Sequence, residues 1–204
     1  MRNPEILPRA ALLSALLLAG CTGLTAPQGS SPNIYVLDAH PDMQISAIKR
    51  DLVLAVAMPQ ARPGFASAQI AYLQQAHELN YFASSRWADT PARMLQPLLA
   101  QALEQSRGFR AVVQAGAIPA DIRLDIELIR LQHDFTLPAS RVQLTLQAQL
   151  IDLRSKRVLA VRQFDATENA DSPDAYGGVS AANRLVQRVL GQVTEFCIAA
   201  SAGL

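Results

Sequence analysis

Cysteine is scarce: the 204 residues hold two, Cys21 and Cys197. Two cysteines cannot build a disulfide framework, and if either is used for something else the other has no partner within the chain. Aromatic residues make up 5% of the sequence, with one tryptophan, Trp87, so few stretches can form an aromatic surface. Neither sign of charge prevails, at a formal net charge of +1. Nucleic acid requires a basic face, and electrostatic docking to anionic lipid requires clustered lysine and arginine. This balance argues against both. No apolar run reaches the ~20 residues that cross a bilayer as a helix. Residues 10–20 (AALLSALLLAG) would span about 16 Å at ~1.5 Å per residue.

Catalytic signatures are missing too. The three histidines, His40 in DAHPD, His77 in AHEL and His133 in QHDF, show no paired metal-ligand spacing such as H-E-x-x-H. A lone histidine beside an acid reads as a surface or edge residue. GGVSA at 177–181 lacks the closing glycine of a nucleophile elbow. No G-x-x-x-x-G-K-[ST] is present, so hydrolysis of ATP through a P-loop is not expected. Tyr176-Gly177-Gly178 reads better as a close backbone approach at a helix start. The carboxylates are scattered. The expectation is a protein that is not an enzyme, with no metal and no cofactor.

What is present begins at the N-terminus. Arg2 and Arg9 against Glu5 form a weakly positive start, followed by the short apolar run, as in an export signal. The run ends Leu18-Ala19-Gly20-Cys21, which resembles a bacterial lipobox. In such signals cleavage precedes the cysteine, whose nucleophilic thiol takes a diacylglycerol, and the freed amino group takes an acyl chain such as palmitate. The alternative is an ordinary secretory signal with a chance cysteine. Two or more chains anchor stably where one does not. Thr22 follows the cysteine; an Asp there would retain a Gram-negative lipoprotein on the inner membrane, so the resemblance implies the periplasmic face of the outer membrane. Removing residues 1–20 leaves 16 basic and 16 acidic side chains of the original 18 and 17.

Residues 21–32 are then a lipidated tether, TGLTAPQGSSP after the cysteine, reaching about 40 Å at most. Residues 33–204 have the length of one domain with a sizeable core. With Cys21 consumed, Cys197 reads as a core residue on a helix; the alternative is an intermolecular disulfide.

Along that domain, strands are expected at 33–38 and 51–57, the second buried on both faces, with Pro59 and Arg62-Pro63-Gly64 closing it. A hairpin is expected from 68–73 and 78–82. A helix over 90–107 has Thr90 as cap and Pro91 at its first position, with Met94, Leu95, Leu98, Leu99, Ala102 and Leu103 as its apolar stripe and Gly108 ending it. Pro97 interrupts this stripe and predicts a kink, or a regular helix only from Gln96. Strands follow at 109–114, 121–133, 140–152 and 157–165. In DIRLDIEL apolar and charged residues alternate, then slip, which predicts a β-bulge near Leu128-Ile129. Ser172 and Pro173 open a last helix, 173–199, whose regular part the two glycines could delay. The reading is an α/β, α+β-like single domain: a mixed sheet with an antiparallel meander and two helices packed on it. The connection from 51–57 through the first helix to 109–114 has the form of a right-handed crossover.

The stretch 70–95 concentrates Tyr72, Tyr81, Phe82, Arg86 and Trp87. Two readings stand. These side chains pack, with Trp87 covering the first helix, or some of them form a docking surface, since aromatics and arginine are enriched at interface hot spots. The candidate partner-binding residues are Tyr81, Phe82, Arg86 and Trp87.

HELNYFASSRWADTPARMLQPLLAQALE, DIRLDIELIRLQHDF, RVQLTLQAQLIDLRSKRVLAVRQF and DAYGGVSAANR, in this order, resemble the ABC-type transport auxiliary lipoprotein family, which includes the PqiC-like proteins. The resemblance runs from about Tyr35 to Phe196. It implies a non-enzymatic, outer-membrane-anchored component of a mammalian-cell-entry (MCE) transport system. Its partners would be a periplasmic MCE protein and, in the wider system, an inner-membrane permease and an ATPase moving phospholipid or other hydrophobic molecules. It supplies no catalytic residue, and a homo-oligomer is compatible with it. The competing classes are a scaffolding lipoprotein of another envelope machine, and a carrier with a lipid-sized apolar cavity.

Overall fold

Ile122, Leu124, Ile126 and Leu128 alternate with Arg123, Asp125 and Glu127, and a strand with one fully buried face results. In the computed structural model, which describes residues 31–39 and 46–204, this strand organises the sheet. The export signal, Cys21, nearly all of the tether and His40 lie outside the described residues. Among the described residues nine strands form one mixed sheet: β1 (Asn33–Tyr35), β2 (Arg50–Val56), β3 (Gln60–Ala61), β4 (Gln69–Leu73), β5 (Leu79–Trp87), β6 (Phe109–Gln114), β7 (Ile122–Asp134), β8 (Arg141–Asp152) and β9 (Arg157–Asn169). Helix α1 spans Pro91–Gln105 and α2 spans Ala175–Ala200.

One edge of β7 pairs along its whole length with β8, which pairs with β9, all antiparallel. The other edge is shared by three short parallel strands in succession. β2 lies against Ile122–Leu124, β3 against Glu127–Leu128 and β4 against Gln132–Asp134. From there the sheet continues in two branches, β2–β6 and β4–β5–β1. β6 runs parallel to β2, so the expected crossover exists as a parallel connection, though β3, β4 and β5 are threaded into it.

The bulge falls where the slip in alternation put it. Leu128 pairs with Leu146 and Arg130 with Thr145, leaving Ile129 unmatched. One extra residue reverses which side chains face inward. Before it the even-numbered residues are buried and the odd-numbered ones half-buried; after it Leu131 to Asp134 are all buried, with Leu131 in the apolar core and His133 against Gly178 of α2.

Both helices close over the inner face and join one core. Leu95, Leu99 and Leu103 of α1, Leu185, Val189 and Val193 of α2, and Leu124, Leu144 and Leu150 of the sheet belong to it. The opposite face of the meander carries Arg123, Asp125, Gln143, Gln147 and Gln149, with Arg123 paired to Asp125 at 2.8 Å. Cys197 is fully buried within the core, and burial pushes its thiol pKa up.

Several boundaries differ from the sequence expectations, for reasons that lie in pairing. β1 stops at Tyr35, where its parallel register with β5 ends at Trp87. β5 runs on through Ala83-Ser84-Ser85-Arg86, a stretch of poor strand formers, because β1 and β4 both bind its far end. β3 and a 3-10 turn at Pro63–Phe65 occupy what read as a closing loop. β9 extends to Asn169 because β8 offers a partner at each step and because Glu168 is held by Arg184 and Arg188 of α2, at 3.2 and 2.9 Å.

Helix ends show similar shifts. Thr90 caps α1, its Oγ1 accepting from Arg93 N at 3.4 Å. α1 is continuous from Pro91, so no delayed start at Gln96 occurs. Pro97 is tolerated because it and Arg93, whose carbonyl loses its intrahelical donor, both face solvent. Gly108 does not supply the left-handed residue after α1; Arg107 does, at φ 54°. Gly108 instead makes room for Ile198, whose Cδ1 would lie 2.6 Å from a Cβ there. Asp174, not Ser172, caps α2, accepting from Gly177 N at 2.8 Å. The glycine pair delays nothing and sits in the first turn.

Because Pro97 leaves a hydrogen bond unmade on an exposed face, Pro97→Ala should stabilise the fold by about 1–2 kcal/mol. Urea unfolding with an unchanged m-value would show it; an unchanged or lower midpoint would contradict the assignment.

Candidate functional site

β5 carries all four residues expected to dock a partner, and the structure separates them. Ala71 of β4 faces Tyr81, whereas Gln69 faces Arg86. Residues 82–85 are therefore bulged out of the ladder, and the four side chains do not form one patch. Tyr81 donates its hydroxyl to the Gly64 carbonyl at 3.0 Å and pins the 3-10 turn. Phe82 is half-buried, with ring centroids 4.7 Å from Tyr72, 6.3 Å from Phe135 and 6.5 Å from His133. Trp87 is only 3% exposed and belongs to the core. In this geometry it packs and does not present its ring to a partner. Arg86 is the one of the four that is exposed.

The histidine of QHDF departs further from expectation. His133 is 2% exposed, neither a surface nor an edge side chain. The bulge at Ile129 turned it inward. Its Nε2 lies 3.0 Å from Ser140 Oγ. Its ring packs against Phe135 at 4.0 Å between centroids. Nδ1 has no hydrogen-bond partner among the described residues and faces Gly178, where a Cβ would lie 2.5 Å away. This is the close backbone approach that Tyr176-Gly177-Gly178 foretold. Gly177 is equally constrained, since a Cβ there would lie 2.4 Å from the Ser172 carbonyl oxygen.

Burial lowers the His133 pKa from 6.5 to about 4, against the opposing pull of the Asp174 and Asp134 charges. The neighbouring Asp134 is also buried. Burial alone would raise its pKa, but hydrogen bonds from Thr136 N and Oγ1 and from Arg141 Nε outweigh this and hold the carboxyl below its usual range. Gln143 Nε2 donates to it as well, at 3.0 Å.

Ser140 and His133 are not assembled as a nucleophile and base. Among the described residues no carboxylate orients Nδ1, and both side chains are buried. The cavity beside them, lined by Ile70, Trp87, Leu131, Val142 and Gly178, is about 10 Å³, room for about one water. A lipid-sized site needs several hundred Å³, so this cavity cannot serve a carrier. Exposed His77 takes a left-handed conformation (φ 68°) in the β4–β5 turn. Among the described residues no three His, Cys, Asp or Glu side chains converge to hold a metal ion. No described helix is long and apolar enough to cross a membrane.

A second surface lies outside the aromatic stretch 70–95. Ile34, Val36 and Tyr176 are 58%, 47% and 67% exposed. With Asp38 and Asn183 they line a surface groove of about 390 Å³. Tyr176 leans toward Tyr35, with ring centroids 6.5 Å apart, and Asn183 ties the segment to α2 by accepting from Asp38 N at 2.9 Å. The signal was alternation: with Tyr35 turned in, Ile34 and Val36 must turn out.

The fold is that of a mixed-sheet α/β domain with both helices on one face, and it is shared with solved structures. A protein of Xanthomonas campestris from the DUF330 family superposes with a TM-score of 0.77 at 22% identity, over 84% of this chain and 98% of that one. A hypothetical protein of Chlamydia trachomatis superposes with a TM-score of 0.53 at 12% identity, over 74% and 99%. No curated protein matches the chain. Residues 35–194 match the family described as the ABC-type transport auxiliary lipoprotein component. The chain belongs to that family.

Two measurements test the inward turn of His133. Gly178→Ala should cost about 1–3 kcal/mol, because the ring it meets cannot swing aside. Above pH 6.5 the ring is neutral whether folded or unfolded. Between pH 6.5 and about 4 the unfolded chain takes up a proton that the folded chain refuses. Stability should therefore fall as pH falls through this window, at up to ~1.4 kcal/mol per pH unit. Denaturant midpoints at pH 7.5 and pH 5 should differ for the wild type and differ much less for His133→Gln. A flat wild-type profile would contradict the buried neutral ring.

Proposed function

We propose that this chain is a non-enzymatic accessory lipoprotein of an MCE-type ABC transporter, held on the periplasmic face of the outer membrane through lipid on Cys21. Family membership supports the transport role, and the Leu18-Ala19-Gly20-Cys21 sequence with Thr22 after it supports the anchor and its membrane. The observation that carries the reading is their combination: an auxiliary-component domain directly downstream of a lipobox-like cysteine. The partner is a periplasmic MCE protein, and the permease and ATPase of the same system supply the span and the energy. The ~10 Å³ interior cavity favours action through the surface over carriage of a lipid inside this domain. On β5 the surface offered to a partner centres on Arg86.

Co-purification from envelope membranes tests this. The wild type should bring down an MCE protein. Cys21→Ala should abolish acylation, read as the missing lipid in the intact mass, and lower the share of the chain in the outer-membrane fraction, because the lipid anchor is lost. Arg86→Glu should lower recovery of the MCE protein severalfold without shifting the melting temperature, whereas Trp87→Ala should lower the melting temperature first. Recovery of cell-wall or secretion proteins in place of an MCE protein would favour the scaffolding alternative and reject this reading.

A further inference from the structure

The exposed apolar side chains are not spread evenly. β1 runs parallel to β5, β5 antiparallel to β4, and β4 parallel to β7. The chain therefore enters the domain at the end of the sheet where β7 finishes. The β7–β8 turn lies at that end; its residues 135–140, FTLPAS, carry no charge, and Leu137 is 46% exposed. The start of α2 lies there too, since His133 packs against Gly178, and it brings Tyr176. Ile34, Val36 and Tyr176 thus line one groove beside the point where the polypeptide comes in from residue 31, and Leu137 lies at the same end of the sheet.

We infer that this end of the domain seats directly on the bilayer surface, with these four side chains entering the headgroup level. The inference rests on the reading of Cys21 as the lipid attachment point. Residues 22–32 separate that cysteine from Asn33, a reach of about 40 Å at full extension. The anchor therefore keeps this point of entry within about 40 Å of the membrane. At such a distance contact is effectively intramolecular, so a patch too weak to bind membranes alone is occupied most of the time. Tyrosine is a residue that settles at the headgroup level, its ring in apolar surroundings and its hydroxyl in water. The charged groups bordering the patch are Asp38, Asp174 and Arg86, the last paired with Ile34 across β1 and β5. They form no basic cluster, so the attraction is apolar and anionic lipid adds little to it.

Full-length lipidated protein provides the test. Tyr176→Cys, Leu137→Cys and, as a control in the β6–β7 loop, Ile118→Cys (55% exposed in the wild type) are each labelled with a small fluorophore. Cys197 is fully buried, and an acylated Cys21 has no free thiol. The proteins are reconstituted in phosphatidylcholine vesicles, with or without phosphatidylglycerol, that contain a headgroup-level nitroxide lipid. Fluorescence loss at 176 and 137 should be severalfold greater than at 118, and phosphatidylglycerol should not increase it. Equal losses at all three positions overturn the seat. So does a label at 176 that escapes the nitroxide yet is shielded from aqueous iodide, which identifies a second copy or a partner protein as the occupant. Intact mass separates the two claims: no lipid on Cys21 rejects the anchor and the seat together, whereas lipid present with equal losses rejects the seat alone.

Discussion

The register of β7 is the constraint on which the rest of the domain depends. Its two edges are loaded differently, with a full-length antiparallel partner on one side and three short parallel strands on the other. Because side chains in a strand alternate strictly, a single unmatched residue at Ile129 exchanges the faces of everything after it. Leu131 and His133 enter the core in consequence, and Gln132 and Asp134 pair on the opposite face. α2 must then begin against an imidazole ring, and Gly178 is the residue that permits it. The cap on Asp174, the tight packing of Gly177 on Ser172 and the projection of Tyr176 all follow from that approach.

This arrangement places chemistry and surface in different parts of the molecule. The titratable groups with the most unusual surroundings, His133 and Asp134, are buried and satisfied mainly by their neighbours in the β7–β8 turn. Their role is to define the end of the sheet. What a partner or a membrane can touch is an outer sheet face of glutamine and paired charges, an exposed Arg86, and an apolar rim where the chain enters. That division is the setting in which the auxiliary lipoprotein family to which the chain belongs has to be understood.

Much of the fold could be read directly from residue order. Thr90-Pro91 before an apolar stripe marked the start of α1, and the break in alternation placed the bulge near Leu128-Ile129, where Ile129 is the unmatched residue. The meander followed from the unbroken alternation of Val142 to Leu150. The candidate site was read less well. Aromatic density drew attention to 81–87, yet whether an aromatic packs or is presented depends on the register slip between β4 and β5, which a single strand does not encode. Exposed Ile34, Val36 and Tyr176 looked like ordinary strand and helix residues because nothing local says which neighbours are absent.

The sequence by itself determined the properties that depend on near neighbours along the chain: the short apolar run ending at Cys21, helix caps, strand alternation, charge neutrality and family membership. Tertiary structure alone decided the properties that depend on which distant segments meet. It extended β5 and β9 past their intrinsic preferences by offering them partners, buried Trp87 and His133, and gathered Leu137, Tyr176 and Ile34 at one end. The reason is physical: local signals act through hydrogen bonds and torsions a few residues apart, whereas burial is set by pairings across the sheet, such as Ala71 with Gln132 or Leu54 with Ile122.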